Sequence, residues 1–116
     1  MLTLYGIPNC DTCKKARKWL DANSIEHHFH DVRVDGLKPA TLQHWASSAG
    51  WEKLLNTRSA TWRGIAESRR QDMNKKRALE LMLEQPTLIK RPVLDTGDAI
   101  LVGFSTTMYD DLPRSE

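Results

Sequence analysis

The chain is expected to fold as an α/β domain around a four-stranded mixed sheet. Three observations lead there: a strand, helix and strand fill the first 33 residues, several short helical patterns follow, and a β-hairpin with one more helix closes the chain. Met1-Leu2-Thr3-Leu4-Tyr5 alternates as a strand does, and Gly6-Ile7-Pro8-Asn9 reads as a turn. From Asp11 to Asn23 the apolar residues recur at helical spacing, with Ala16, Trp19 and Leu20 following Cys13. Asn23-Ser24 breaks that helix, and Ile25–Arg33 reads as a second strand. A crossover through a helix makes the two strands parallel.

Leu42, Trp45, Ala46 and Ala49 then mark a helix stopped by Gly50, and Trp51, Leu54 and Leu55 suggest another helical turn. Trp62, Ile65 and Ala66 suggest a further short piece before a polar stretch. Asn74 is placed to cap a helix holding Ala78, Leu79, Met82 and Leu83, which Pro86 terminates. Pro92–Asp95 and Ala99–Phe104 are strands joined by the tight turn Thr96-Gly97-Asp98, hence antiparallel. Ser105 is placed to cap a last helix with Met108, Tyr109 and Leu112 on one side. The order βαβ, helical insertion, ββα is a thioredoxin-like plan, with helices flanking the sheet.

At 116 residues the chain is long enough for a hydrophobic core without staples, so 1–116 is expected to be a single domain. Seventeen Lys and Arg against fifteen Asp and Glu leave a formal charge of only +2, which argues against nucleic-acid binding by bulk electrostatics. No apolar run approaches the ~20 residues of a membrane span, and the first residues lack a basic start followed by a long apolar stretch. Two cysteines fit a reducing, cytoplasmic setting with a catalytic rather than a structural disulfide. A monomer is expected.

Those cysteines, in Cys10-Asp11-Thr12-Cys13, carry the chemistry. They sit between a strand and a helix, where unpaired N–H groups and the helix dipole favour thiolate over thiol. Lys14 and Lys15 add positive charge in the sequence. Cys10 precedes the first helical turn and is the expected nucleophile; Cys13 shares the buried stripe with Ala16 and Leu20 and is either a resolving or a structural thiol. A structural zinc site would need a second Cys/His pair at close spacing, and no second Cys pair exists, so no metal is expected.

Four segments carry a family resemblance: Leu4-Tyr5-Gly6-Ile7-Pro8-Asn9-Cys10-Asp11-Thr12, Leu54-Leu55-Asn56-Thr57-Arg58-Ser59, Ile89-Lys90-Arg91-Pro92 and Val102-Gly103-Phe104-Ser105. In order and spacing the chain resembles the arsenate-reductase-like (ArsC/Spx) family of thioredoxin-fold proteins, and within it the YffB group. The resemblance implies a thiol-dependent reductase with Cys10 as nucleophile and Asn9, Lys14, Arg58 and Arg91 binding the substrate or an anion. It also implies a cis proline at Pro92, facing the active cysteine. Arsenate reductases of this family use three arginines; Arg58 and Arg91 match two, and the third would fall at Ala99-Ile100-Leu101, where there is none. Guanidinium groups suit a bidentate grip on oxyanions and carboxylates. The expected substrate is therefore a disulfide or mixed disulfide, with no bound cofactor, glutathione as co-substrate and glutaredoxin as an alternative partner. The rivals are arsenate reduction coupled to glutathione and glutaredoxin, and a redox-sensing regulator that binds RNA polymerase through an Spx-like Cys10–Cys13 switch.

The remaining candidates are assigned to structure. Strand alternation sends His28 and His30 to one face and His27 to the other, which does not suit a metal cluster. Trp19, Trp45, Trp51 and Trp62 read as core or helix-packing residues. Arg69-Arg70 and Lys75-Lys76-Arg77 read as a solvated helix face.

Overall fold

Strand β1 (Leu2–Gly6) buries Leu2, Leu4 and Gly6 and leaves Thr3 and Tyr5 half-exposed, the period of two that its alternation demands. The computed structural model describes residues 2–113. They fall into two compact units: one takes the chain up to Gly36 and again from Arg91, the other is Leu37–Lys90.

In the first unit, α1 (Asp11–Ala22) returns the chain so that β2 (His27–Asp31) pairs with β1 in parallel, Leu2 opposite His27 and Gly6 opposite Asp31. On the other side of β1 lies β3 (Val93–Asp95), antiparallel, with Tyr5 opposite Val93. β4 (Ile100–Val102) completes the hairpin, and the sheet order is β2-β1-β3-β4. This is the four-stranded mixed sheet of a thioredoxin-like fold. The hairpin turn is closed by Asp95 Oδ1, which accepts the Gly97 N–H at 2.8 Å, and Gly97 takes a φ of +91° that side chains rarely adopt.

One face of the sheet carries the core. Leu2, Leu4 and Leu94 pack with Ala16 and Leu20 of α1, Ile25, and Tyr109 of α7 (Thr106–Tyr109). Trp19, Phe104 and Tyr109 meet edge to face, their ring centroids 4.9–6.4 Å apart. On the opposite face Tyr5 and His30, partners in the parallel register, meet with ring centroids 4.8 Å apart at a 48° tilt. His27 and His30 each bond a backbone carbonyl, of Ile25 and Gly36.

The second unit is helical: α2 (Pro39–Ala49), α3 (Trp51–Leu54), α4 (Ala60–Arg63), α5 (Glu67–Arg70) and α6 (Lys75–Glu84), then a 3-10 turn at Pro86–Leu88. Trp45 of α2 is fully buried, with Leu42 and Ala46 on the same stripe. Asn74 caps α6 by accepting the Arg77 N–H at 2.9 Å. Asn74→Ala should lower stability by about 1 kcal/mol, the usual cost of a lost cap, measured by chemical denaturation; an unchanged midpoint would show that the cap contributes nothing. Among the described residues no helix is long and apolar enough to cross a membrane.

Several elements differ from expectation: β4 is Ile100–Val102 rather than Ala99–Phe104, and α4 ends at Arg63, leaving Ile65 and Ala66 outside it. β2 is shorter than Ile25–Arg33 because Ile25 N–H turns back to Leu20 O and the Asp31 carboxylate takes the Arg33 and Val34 N–H groups, curling the chain off the sheet. α5 arises in the polar stretch, where apolar periodicity gives no signal. The last helix ends at Tyr109, before Leu112, and Met108 is exposed rather than aligned with Tyr109 on a buried side. The basic run lies on the surface, as expected, and is tied down there by its own hydrogen bonds. Arg77 donates to the carbonyls of Gln71 and Asp72, and Arg69 pairs with Glu84 at 2.7 Å.

Candidate functional site

Cys10 is the residue immediately before α1, with extended backbone (φ −100°, ψ 123°) and a carbonyl that accepts the Lys14 N–H at 2.9 Å. Its sulfur stands where a serine or aspartate cap would place an oxygen. It makes no full cap hydrogen bond, yet the amide of Cys13 still acts on it electrostatically. Burial pushes the Cys10 thiol up. The Cys13 backbone N–H, the Cys13 thiol and the Arg91 guanidinium pull it down further, so the net shift is below a cysteine's ordinary value.

The sheet explains why Arg91 is there. β1 leads directly into the Cys10 loop, and β3 runs antiparallel to it from Val93, opposite Tyr5. The residues just before β3, Arg91 and Pro92, are thereby delivered to the end of the sheet from which Cys10 emerges. The Arg91–Pro92 peptide bond is cis, and Pro92 is fully buried. Its carbonyl accepts the Gly103 N–H at 2.8 Å, tying this corner to the chain leaving β4.

Cys13 is the opposite kind of thiol. It has no exposed surface, and both cysteines are free. Burial pushes its thiol up to about 12 against an opposing backbone hydrogen bond at Ile7, with Cys10 adding to the rise and Arg91 opposing it. Tyr109 lies behind it, its hydroxyl pushed up by burial and by the Cys13 sulfur. Gly6 completes the fit: a Cβ there would lie 2.5 Å from the Cys13 sulfur. By sequence alone Gly6 belongs to a turn and Tyr109 to a helix face. A glycine at a strand end, before a cysteine, was the available signal for a close approach.

The other candidates divide. The cation acting on Cys10 is Arg91, not Lys14 or Lys15, which project with Arg17 and Lys18 along an outer surface of α1. Asn9 is exposed beside Cys10. Ala99 is exposed, and Ile100 and Leu101 lie in β4. Arg58 belongs to the second unit, in the wall of a cavity there. No group of three or more His, Cys, Asp or Glu among the described residues is arranged to hold a metal ion.

The ArsC family model matches residues 5–112. An uncharacterized protein of Haemophilus influenzae is 47% identical over 109 residues, covering 94% of this chain and 96% of that one. The global transcriptional regulator Spx 1 of Lactococcus lactis is 27% identical over 107 residues, 90% of this chain and 83% of its own. Among solved structures, a YFFB protein aligns with a TM-score of 0.92 at 43% identity, covering 95% of this chain and 96% of that one. An arsenate reductase (ArsC) related protein from Brucella melitensis aligns with a TM-score of 0.78 at 42% identity, covering 96% and 92%.

Proposed function

This chain belongs to the ArsC family, and on that premise we propose that it is a thiol-dependent reductase of disulfides or mixed disulfides, with glutathione as co-substrate. The observation that carries the reading is the opposed pair of thiols: Cys10 held below its ordinary pKa beside Arg91, and Cys13 held up at about 12. The Cys10 thiolate attacks one sulfur of a glutathione mixed disulfide. The S–S bond breaks, the product thiolate leaves and takes a proton, and glutathione remains on Cys10. A second glutathione thiolate attacks that bond, releasing glutathione disulfide and the Cys10 thiolate. Cys13 stays protonated near neutral pH and donates towards the Cys10 sulfur. Arg91, with Asn9 exposed beside Cys10, meets the carboxylates of glutathione.

The test begins with the alkylation rate of Cys10 against pH. The rate follows the thiolate fraction, so it should fall as pH drops through an inflection below the ~8.5 of a free cysteine, and Arg91→Ala should move that inflection up. An inflection at or above the free value would remove the electrostatic basis of the reading. A glutathione titration followed residue by residue should then perturb the amides around Cys10, Cys13 and Arg91, and silence there would exclude this ligand.

Arsenate should be a poor substrate. Its charged oxygens need several donors at once, and Ala99-Ile100-Leu101 offers no third arginine. A charged hydrogen bond is worth about 1.5–3 kcal/mol, so its loss costs roughly one to two powers of ten in rate. Robust glutathione-coupled arsenate turnover, lost on Arg91→Ala, would reassign the substrate.

A further inference from the structure

The unit Leu37–Lys90 contains a cavity of about 570 Å³, within the ordinary range for small-molecule sites. Its lining includes two indoles, Trp51 and Trp62, three cations, Arg58, Arg70 and Lys90, and one carboxylate, Glu52. Among the described residues none of those cations is in an ion pair; the basic residue that is paired nearby is Arg69, with Glu84. The Arg70 guanidinium lies 5.8 Å from the centre of the Trp62 ring. Its Nε is buried and meets no hydrogen-bond acceptor among the described residues. A desolvated, charged donor in that position is stabilised by an acceptor, and by an anionic one most of all.

Local bonding sets the cavity wall. Asn56 Oδ1 accepts the Arg58 N–H at 3.1 Å, and Asn56 N–H donates to Leu88 O at 2.8 Å. Ser59 caps α4 by accepting the Trp62 N–H at 3.1 Å while its hydroxyl donates to Asn56 O. The Leu54–Ser59 motif therefore places Arg58 and Trp62 on one framework. Indole faces take flat rings by stacking, and three cations against one carboxylate leave an excess of positive charge. A carboxylate ligand has two oxygens and one charge to offer three cationic side chains; a phosphate monoester has three free oxygens and nearly two charges.

We propose that this cavity binds a small anion that joins a planar ring to a phosphate, of the nucleoside monophosphate type. The ring packs on Trp51 and Trp62, and the phosphate is held by Arg70, Arg58 and Lys90. This binding role does not depend on the thiol chemistry of Cys10; Arg58, read in the sequence as an anion-binding residue, here meets the phosphate of the ligand.

The test uses the full chain and adenosine monophosphate as the probe, with adenosine and inorganic phosphate as separate arms, read by calorimetry and by the indole N–H signals of Trp51 and Trp62. Adenosine monophosphate should bind saturably, each half of it at least tenfold more weakly, and both indole signals should move. Arg70→Gln and Arg58→Ala should each weaken binding by roughly tenfold, the effect of losing about 1.4 kcal/mol. Arg58 is exposed, so Arg58→Ala carries the test if the Arg70 variant does not fold. Absence of saturable binding at millimolar ligand would overturn the proposal. So would inorganic phosphate binding as tightly as the nucleotide, which would reveal an oxyanion site with no ring recognition, or a complex untouched by Arg58→Ala with silent indoles.

Discussion

Cys10→Ser is expected to abolish thiol transfer, while Cys13→Ser keeps a substantial part of it. A serine hydroxyl does not ionise near neutral pH and cannot form the mixed disulfide, so the covalent route closes altogether. Cys13 contributes differently. It is fully buried, and burial first, then Cys10, push its thiol up to about 12, so it remains a donor rather than a second nucleophile. Serine keeps a donor at that position. Because the donor is kept, the change should cost only part of the charge-assisted hydrogen bond to Cys10, about 0.5–1.5 kcal/mol, or roughly a two- to tenfold drop in rate. Cys13→Ala removes the donor, and the Cys10 inflection should then move up, towards the free value, because one of the groups lowering it is gone. A Cys13→Ser protein as inactive as Cys10→Ser would instead establish an obligate dithiol cycle.

Gly6→Ala should destabilise the protein by about 1–3 kcal/mol, the cost of forcing an extra methyl into a packed core. The new Cβ would lie 2.5 Å from the Cys13 sulfur and 3.6 Å from Phe29 Cε1. Cys13 has no room to rotate away, being enclosed on the stripe it shares with Ala16 and Leu20, so the start of α1 must lift from the sheet. Two measurements separate this from a general loss of strand stability. Cys13→Ala in the Gly6→Ala background should recover most of the loss, giving a coupling well above the ~0.5 kcal/mol of independent sites. The Cys10 inflection should also rise in Gly6→Ala, since the amides at the helix end move with α1. Strict additivity of the two changes would mean that the close approach does not govern stability.

Much of the framework was legible from neighbours in the chain. Leu2 and Leu4 announce a strand face, Ala16 and Leu20 a helix face, and both lie in one core. Asn74 and Ser105 accept the N–H groups their cap positions imply, and Gly97 closes the hairpin. Each of these signals acts within about one helical turn or one tight turn, so a few consecutive residues suffice to decide it. The polar α5 and the early end of β2 were not legible for the complementary reason. α5 carries no apolar period, and the end of β2 depends on the Asp31 carboxylate accepting the Arg33 and Val34 N–H groups, which hydrophobic period does not encode.

For the site itself, the chain alone determined which thiol precedes a helix and which lies on its buried stripe, because that is a matter of spacing around Cys10-Asp11-Thr12-Cys13. The family resemblance marked Arg91 as an anion-binding residue and Pro92 as a cis proline facing the active cysteine. Adjacency pointed to Lys14 and Lys15 as the cations beside Cys10, and the helix turns them outward. Only the tertiary structure decided that Arg91 is the charge that lowers Cys10, that Gly6 is the opening into which Cys13 fits, and that Arg70 lies over Trp62 with its Nε buried. The first two were decided when β3 paired antiparallel with β1 and α1 packed on β1; the third depends on how short helices fold back within the second unit. Charge and close contact act through space, over distances that chain separation does not predict.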